Sequence, residues 1–513
     1  MQLEWKTCPI ASVQTVQETV EENPFDLEIQ LPEWAPDLRH CLQCTVTPQI
    51  RAVNITADRA NAEGIGVLRL LYCAEDGTPA VTEQTFPIRR SVPLPADAAQ
   101  PQVRVGAETD YVNCRASGQR KAVANGVVSI RFTVTQKRET NILTDTAQPQ
   151  ICTQTAKMDV LHATAQTVRT FAMSEVVELG GQDPTIGGIV YSGAYMRTDS
   201  VRAVQDKLLV KGEAVTRIIY TSPQLPGEFA SFTHTMPVSQ VIEAPGVSEG
   251  DLLDVSADVV SARNVPKSDG NGDDRLLEIA LQIQVTVRCF ALTPLQVIED
   301  AYSTAEMFQG TYTEMRFLTA AERWQDTVSV KTTLDLSGTG MQSVLFCTCG
   351  AVRQAIRTRE DMLEVQCTAA VDVIGKDSEG EPVRAEKTLE FVCRRPLSGS
   401  SADVLCVPTV CITDCSVSIL PDGTAQLQAE GFTDGMVYTV SDVRLLTEGI
   451  GVPLPEGQEQ AAMTIYFADA AEPVWEIAKK YRTTVDAIRA ENGLTEPVLG
   501  EKRMLVIPTA ISI

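Results

Sequence analysis

ITADRANAEGIGVLRLLYC, residues 55–73, has a diverged copy later in the chain, AVQDKLLVKGEAVTRIIYT at residues 203–221. Three identical positions keep their spacing: Asp58, Gly64 and Tyr72, matched by Asp206, Gly212 and Tyr220. Val67, Arg69 and Leu71 alternate with their neighbours, and this period of two is typical of a β-strand. A strand unit that recurs predicts a chain built from structural repeats.

A third copy of this unit is weaker. It covers residues 360–373, EDMLEVQCTAAVDV, with Cys367 where the glycine would be and no matching tyrosine. Each copy is followed by a second, longer strand pattern: VVSIRFTVT, LLEIALQIQVTVRC and TAQLQAEGF. Their alternating apolar positions are Val128, Ile130, Phe132 and Val134; Leu277, Ile279, Leu281, Ile283, Val285 and Val287; and Ala425, Leu427 and Ala429. One apolar and one polar face predict antiparallel sheets packed as sandwiches.

Turn-forming residues precede each of the long strand patterns. They are Asn125-Gly126, residues 271–274 (NGDD) and residues 421–423 (PDG), and they predict hairpin turns. The first two copies also share a related opening, LPEWAPDL at residues 31–38 and ELGGQDPTI at residues 178–186. Residues 1–30 have apolar residues too scattered to predict an element.

The C-terminal stretch, residues 463–508, has a different pattern. It predicts a strand at 464–467, two short helices and a returning strand at 504–507. Pro473 suits the first turn of the first helix. Thr483 followed by Asp486 is similar to a capping box that opens the second helix. Asn492-Gly493 supplies the left-handed residue that ends this helix.

This βααβ arrangement resembles a LysM module. The matching residues are Tyr466, Val474, Trp475, Ile477, Ala478, Tyr481, Val485, Ile488, Asn492, Leu494, Pro497, Gly500, Leu505, Ile507 and Pro508. Sugar-binding LysM modules usually carry a Gly-Asp-Thr-Leu-like turn before the first helix, where this chain has Ala471-Glu472-Pro473-Val474. Glycine there permits positive φ, which alanine and proline restrict. A groove adapted to a protein partner is therefore an alternative to one that binds N-acetyl sugars.

Three all-β repeats followed by a LysM module resemble the SipL-like spore-coat morphogenetic proteins of anaerobic spore-formers. That resemblance implies a scaffold whose LysM module binds SpoIVA, the ATP-hydrolysing coat protein that polymerises on the forespore surface. It also implies a location in the mother-cell cytoplasm at the forespore surface, within the spore coat. Membrane association would then occur only through partners.

Composition limits the functional classes. The net charge of -24 at pH 7 disfavours nucleic-acid and anionic membrane partners through repulsion. The N-terminal residues show no secretory signal, and no apolar run is long enough to span a membrane. Fourteen cysteines without such a signal favour reduced thiols in a cytoplasm.

No residue pattern predicts catalysis, a metal site or a cofactor. The three histidines, His40, His162 and His234, lie in separate segments without a nearby nucleophile in sequence. Cys41 and Cys44 have C-x-x-C spacing, but zinc sites usually need a second such pair. An extended strand would also place residues three apart on opposite faces. We interpret these cysteines as small apolar residues.

The predicted fold is mainly β, with tandem antiparallel sandwich-like repeats followed by a small α+β LysM module. The sequence predicts an N-terminal segment at residues 1–30 and three β repeats at residues 31–145, 146–300 and 301–448. A linker at residues 449–461 and the LysM module at residues 462–510 follow.

The predicted function is a non-enzymatic adaptor in spore-coat assembly that binds a SpoIVA-like protein through its LysM module. Trp475 is the first candidate anchor, because tryptophan often dominates protein interfaces, although it would also suit the module's own core. Val474, Phe467 and Leu494 are the candidates beside it. The alternatives are a cell-wall protein that binds peptidoglycan or N-acetylglucosamine through the module, and an enzyme hidden in the repeats.

Overall fold

The protein is described from a computed structural model that covers residues 3–96, 98–359, 361–397, 404–420, 424–454 and 463–508. Most of these residues lie in strands, and both α-helices belong to the C-terminal module. The prediction of a mainly β fold with antiparallel sheets is confirmed.

The strands fall into three successive sets, followed by the module. The first set is β1 (Trp5–Gln30), β2 (Leu38–Ile55), β3 (Arg59–Ala74), β4 (Pro79–Pro93), β5 (Gln102–Gly118) and β6 (Lys121–Thr146). The second is β7 (Ile151–Glu178), β8 (Gly188–Val204), β9 (Lys207–Ser222), β10 (Leu225–Glu243), β11 (Leu252–Lys267) and β12 (Leu276–Ser303). The third is β13 (Met307–Leu334), β14 (Ser343–Cys349), β15 (Arg353–Arg359), β16 (Met362–Lys376), β17 (Pro382–Pro396), β18 (Val404–Cys406), β19 (Thr409–Ile419) and β20 (Ala425–Val452). The module consists of β21 (Met463–Ala468), α1 (Val474–Tyr481), α2 (Val485–Asn492) and β22 (Arg503–Pro508).

Each set of strands forms two antiparallel sheets with the same strand order. In the first set the orders are β1-β6-β5 and β2-β3-β4, and in the second they are β7-β12-β11 and β8-β9-β10. The third set follows this plan with two strands interrupted. β14 and β15 pair with successive parts of β16, and β19 and β18 pair with successive parts of β20. The three sets are therefore copies of one unit.

The apolar faces predicted from alternation form the cores of these units. Every one of those residues on β6, β12 and β20 is buried, with at most 1 % of its surface exposed. They belong to the same apolar clusters as buried residues of the other sheet of their unit. Ile130, for example, shares its cluster with Leu70 and Tyr72 of β3. Fully burying one such side chain contributes about 1.5–3 kcal/mol, so these rows are a main source of each unit's stability.

The matched tyrosines and glycines have the same role in the first two units. The hydroxyls of Tyr72 and Tyr220 donate to the carbonyl oxygens of Pro36 and Pro184, each at 3.1 Å. These prolines lie in the two related openings. A Cβ on Gly64 would lie 2.1 Å from the carbonyl oxygen of Gln49, and one on Gly212 would meet the carbonyl oxygen of Arg197. Glycine at this position therefore allows close approach of the neighbouring strand.

One predicted turn is wrong. Asn125-Gly126 lies inside β6, and the chain reverses instead between β5 and β6 at residues 119–120. A Cβ on Gly126 would come within 2.3 Å of the carbonyl oxygen of Tyr111, so this glycine serves close packing inside the sheet. Residues 271–274 do form a turn, with Gly272 at φ 89°. The predicted turn at 421–423 lies outside the described residues.

The first and last strands of each unit extend beyond the sandwich as a two-stranded ribbon. β1 pairs with β6 along nearly its whole length, whereas β5 reaches only to Thr135 of β6. The ribbons consist of residues 5–15 with 135–146, residues 151–163 with 290–303, and residues 307–318 with 440–452. Residues from all three ribbons share one apolar cluster: Ile10, Ile142, Val160, Leu295, Val297, Phe317 and Leu445. We call this three-ribbon bundle the stalk.

A second apolar cluster joins the sandwiches beside the stalk. Equivalent residues of the three units meet there: Leu71 of β3, Ile219 of β9 and Ile374 of β16. A β-bulge in β2 and another in β8 add Leu42 and Val190 to the same cluster. The three units therefore surround a common axis, and we call these residues the axis cluster.

The chain enters and leaves each unit at the free end of its ribbon, which we call the tip.

Residues 5–30, for which the sequence predicts no element, form β1 of the first unit. The predicted boundary after residue 300 falls within β12, and β20 runs through residue 452 into the predicted linker. The rest of that linker, from residue 455, lies outside the described residues. The C-terminal module begins with β21 at Met463.

Candidate functional site

The module has its own small core beneath two helices. Pro473 precedes α1, and Val474, Ile477 and Ala478 of this helix are buried. Ile488 of α2 and Leu505 of β22 complete the centre of the cluster. β21 and β22 pair antiparallel, with Phe467 opposite Met504. The predicted order of strand, helix, helix and strand is present within a few residues of the predicted bounds.

Three residues in the turns of the module, Ala471, Arg482 and Gly493, adopt the left-handed backbone conformation. Gly493 ends α2 in the left-handed region at φ 63°, as the Asn-Gly pair predicts. Ala471, in the turn before α1, also adopts a left-handed φ of 66°. The capping prediction is wrong by one residue, because Thr484 rather than Thr483 accepts from the backbone N–H of Ala487. Thr483 is fully buried against the stalk-facing side of the module.

The module contacts the tip of the stalk through Asp300 at the end of β12. The indole Nε1 of Trp475 donates to Asp300 Oδ2 at 2.8 Å, and Lys479 Nζ lies 2.6 Å from the same oxygen. Tyr312 of β13 donates its hydroxyl to Asp300 Oδ1 at 2.9 Å. One carboxylate therefore receives donors from the module and from a neighbouring ribbon.

The electrostatics of this contact favour the charged carboxylate. Burial raises the pKa of Asp300, but hydrogen bonds from Lys479, Trp475 and Tyr312 outweigh burial and hold the pKa below its usual range. Burial and the bond to Asp300 raise the pKa of Tyr312 to about 12, so its hydroxyl remains a donor at neutral pH. The contact is charge-assisted, which makes its hydrogen bonds stronger than neutral ones.

Tyr302 provides the apolar half of the contact. Its ring packs edge-on against Trp475, with the ring centroids 4.9 Å apart. Its hydroxyl donates to the carbonyl oxygen of Thr483 at 2.7 Å. Tyr302 is buried within the core cluster of the module, although it belongs to β12. The stalk tip and the module thus share a continuous core.

The four predicted binding residues lie in different environments. Val474 is fully buried, and Trp475 is partly buried with its indole N–H bound to Asp300. Leu494 is partly buried and packs against the module core. Phe467 points away from the helices and is 76 % exposed. The structure does not bring these four side chains together into one surface.

Phe467 belongs to an exposed apolar surface that the sequence interpretation missed. Met463 and Ile465 alternate with inward residues along β21 and share its outward side, and Met504 lies opposite Phe467 on β22. All four side chains are more than half exposed. We call them the outer sheet face. The alternation in MTIYF was the signal that could have revealed it, because Tyr466 points inward.

The interpretation of Cys41 and Cys44 as lying on opposite faces is wrong. β2 has a bulge between Cys41 and Gln43, and the inserted residue returns Cys44 to the side of Cys41. Both pack against the core of the first unit, where Cys41 Sγ lies 3.9 Å from Cys114 Sγ. All fourteen cysteines lie in the described part of the chain and are free thiols.

The described residues lack two other kinds of feature. They contain no group of three or more His, Cys, Asp or Glu side chains arranged to hold a metal ion. Neither α1 nor α2, the two α-helices described, has the length and apolar composition needed to cross a membrane.

Comparison with known proteins gives one match. No curated protein and no solved structure matches the chain significantly. Residues 185–263 match the family described as SipL, SPOCS domain. The matched stretch contains β8, β9, β10 and most of β11, which correspond to β2–β5 in the first unit. This match indicates a sporulation-related protein that is similar to SipL in its second unit.

Proposed function

We propose that this chain is a non-enzymatic adaptor of spore-coat assembly. Its C-terminal LysM-like module binds a coat ATPase similar to SpoIVA, and the three β units hold that module at the forespore surface on the mother-cell side. The observation that carries the proposal is the outer sheet face, which leaves four large apolar side chains in solvent.

The chemistry of this face suits a protein partner. An exposed aromatic residue surrounded by flexible methionines adapts to a complementary apolar surface, and burying it would supply a central contact of the interface. Acidic and basic residues nearly balance in the module, whereas the whole chain has a net charge of -24. A partner that carries negative charge would therefore meet less repulsion at the module than elsewhere.

The contact with the stalk supports a positioning role for the predicted anchor. Trp475 holds the module against Asp300 and Tyr302, and Val474 fills the core beneath it. Phe467 makes the direct contact in this proposal, whereas Leu494 packs against the module core. The outer sheet face is then presented at a fixed orientation relative to the three units.

The test is capture of a purified SpoIVA-like ATPase by the full chain, compared with its Phe467→Glu variant. The charge placed in an apolar interface is expected to weaken binding at least about 30-fold, equivalent to about 2 kcal/mol. Val241→Glu is the matched control, since Val241 is an exposed strand residue of the second unit and is 60 % exposed. Circular dichroism of both variants checks that the sheets remain folded.

Two results would contradict the proposal. One is equal capture by the Phe467→Glu variant and the unchanged chain. The other is binding to purified peptidoglycan without any binding to the ATPase, which would move the function to the cell wall. Capture that is lost in Phe467→Glu and retained in Val241→Glu would support the adaptor role.

A further inference from the structure

One position inside the sandwich recurs in every unit. β2, β8 and β14 each have a β-bulge with one inserted residue. Two positions after the inserted residue, the three strands carry Cys44, Ser192 and Cys347. They face β5, β11 and β19, the strands that close the other sheet. In the second unit the contact is a hydrogen bond, in which Asn264 Nδ2 donates to Ser192 Oγ at 2.6 Å. Both of these side chains are buried.

Two thiols take this place in the third unit. Cys347 Sγ lies 3.4 Å from Cys415 Sγ, and the two residues are only 4 % and 5 % exposed. Cys347 belongs to the sheet of β16, and Cys415 to the sheet of β20. A disulfide needs the sulfurs at about 2.05 Å. From 3.4 Å, the two sulfurs must therefore move more than about 1 Å closer for the bond to form.

We propose that Cys347 and Cys415 are a thiol modification site, which a small-molecule disulfide such as glutathione disulfide oxidises to a cystine that links the two sheets of the third unit. The link would close a long loop of the chain, and cross-links of long loops restrict the unfolded state most strongly. This inference is independent of the partner proposed for the module.

The surroundings of the pair favour Cys415 as the attacking sulfur. The Cys347 thiol donates to Cys415, and this bond lowers the pKa of Cys415. Burial and the charge of Asp414 raise this pKa, whereas the nearby guanidinium of Arg217 lowers it; the net direction is downward. Arg217 comes from the second unit and forms an ion pair with Asp414. A cationic neighbour is a common feature of reactive cysteines.

The reaction is a pair of thiol–disulfide exchanges. The Cys415 thiolate attacks one sulfur of glutathione disulfide, whose S–S bond breaks and releases one glutathione thiolate. Cys347 then attacks the Cys415 sulfur of the mixed disulfide, its proton passes to the released thiolate, and the second glutathione leaves as a thiolate that takes a proton from solvent. Two protein thiols are oxidised, and one disulfide is reduced to two thiols. Since both sulfurs are buried, the first step requires local opening of the unit.

The test incubates the reduced full chain with glutathione disulfide under native conditions. Free thiols are then alkylated, and the digested protein is searched by mass spectrometry for a peptide linked through Cys347 and Cys415. We expect this linked peptide in the unchanged chain and in Cys349→Ala, the matched control on the same strand. We expect none in Cys347→Ala. The oxidised chain should also unfold about 5–10 °C higher than the reduced chain, and a reductant should abolish the difference.

The proposal is overturned if both cysteines remain alkylatable while more exposed cysteines such as Cys44 become glutathionylated. It is also overturned if Cys415 links equally to Cys349 or Cys411. Cys415→Ser provides a second variant in case Cys347→Ala does not fold. A rise in unfolding temperature that persists in a folded Cys415→Ser variant would likewise contradict a link at this position.

Discussion

Asp300 controls the contact between the module and the stalk, because it accepts from Trp475, Lys479 and Tyr312 at once. Asp300→Asn keeps the size of the side chain and removes its charge. We expect a loss of about 1–2 kcal/mol from docking, since charge-assisted hydrogen bonds become neutral ones. Hydrogen exchange near neutral pH should show faster exchange in α1 and at the end of β12.

Asp469→Asn is the control for this change. Asp469 pairs with Lys502 at 2.8 Å, but both side chains are largely exposed, so the pair contributes little. Exchange in α1 should therefore stay unchanged in Asp469→Asn. Equal rates in Asp300→Asn and the unchanged chain would show that the carboxylate does not hold the module.

The same carboxylate predicts a pH dependence. Its pKa in the docked state lies below the usual value, so its contribution is fully present above the unfolded pKa of about 4 and is lost as the pH falls through the lowered folded value. The urea concentration at the midpoint of module unfolding should therefore decrease as the pH is lowered below about 4. Asp300→Asn should lack this component, and a parallel acid response in both proteins would contradict the assignment.

Ala471 adopts a left-handed backbone conformation that strongly favours glycine. A non-glycine residue there costs about 1–2 kcal/mol of conformational strain, which Ala471→Gly would remove. The greater freedom of glycine in the unfolded chain offsets part of this stabilisation. We expect Ala471→Gly to stabilise the module by about 0.5–1 kcal/mol, measured by urea unfolding. The neighbouring Ala470→Gly should destabilise it slightly, and the opposite order would refute the argument.

At the scale of single elements, the glycines of β3 and β9 test how closely the strands pack. Gly64→Ala and Gly212→Ala would press a methyl group into the carbonyl oxygens of Gln49 and Arg197. We expect each to cost about 1–3 kcal/mol, measured as a lower midpoint in chemical denaturation. Gly106→Ala in β5 is the control, because a Cβ there meets nothing within 4 Å. Similar effects at all three positions would contradict the close approach.

Alternation identified only the sandwich halves of the long strands. From Leu277 to Val287 every second residue of β12 is buried, and this regular pattern predicted a strand. Between Cys289 and Phe290 the register with β7 shifts, so the pattern loses its phase where the ribbon begins. β1 has a similar shift between Thr15 and Gln17, and many of its side chains are only partly buried. A bulge inserts a residue without a signal in composition, which also explains the wrong prediction for Cys41 and Cys44.

The elements of the module were predictable, but its contact with the stalk was not. The helix caps, the core spacing and the returning strand all lie within one local stretch of sequence. The sequence singles out Trp475, whereas its partner Asp300 lies 175 residues earlier in the chain. No periodic pattern relates positions so far apart, so sequence reasoning left the orientation of Trp475 open.

At the scale of the whole molecule, the axis cluster should make the three units unfold together. Ile219 is buried among residues of the first and third units. Ile219→Asp places an unpaired charge there, and we expect faster hydrogen exchange in β3, β9 and β16 alike. Val241→Asp, at an exposed position on the adjacent β10, is the control. Faster exchange confined to β9 and its sheet would show that the units are energetically independent.

The position of Trp5 has a consequence for how such a molecule arises. Its indole N–H donates to the carbonyl oxygen of Gly449 at 3.4 Å, so the first strand begins where the last strand of the third unit ends. The first and last strands of all three units consequently end together at the tip, where each unit also connects to the next. A circularly permuted gene that starts with the second unit and places the first after the third would encode the same strand pairings. Tandem duplication from any starting copy therefore yields the same three units with the same contacts between neighbours.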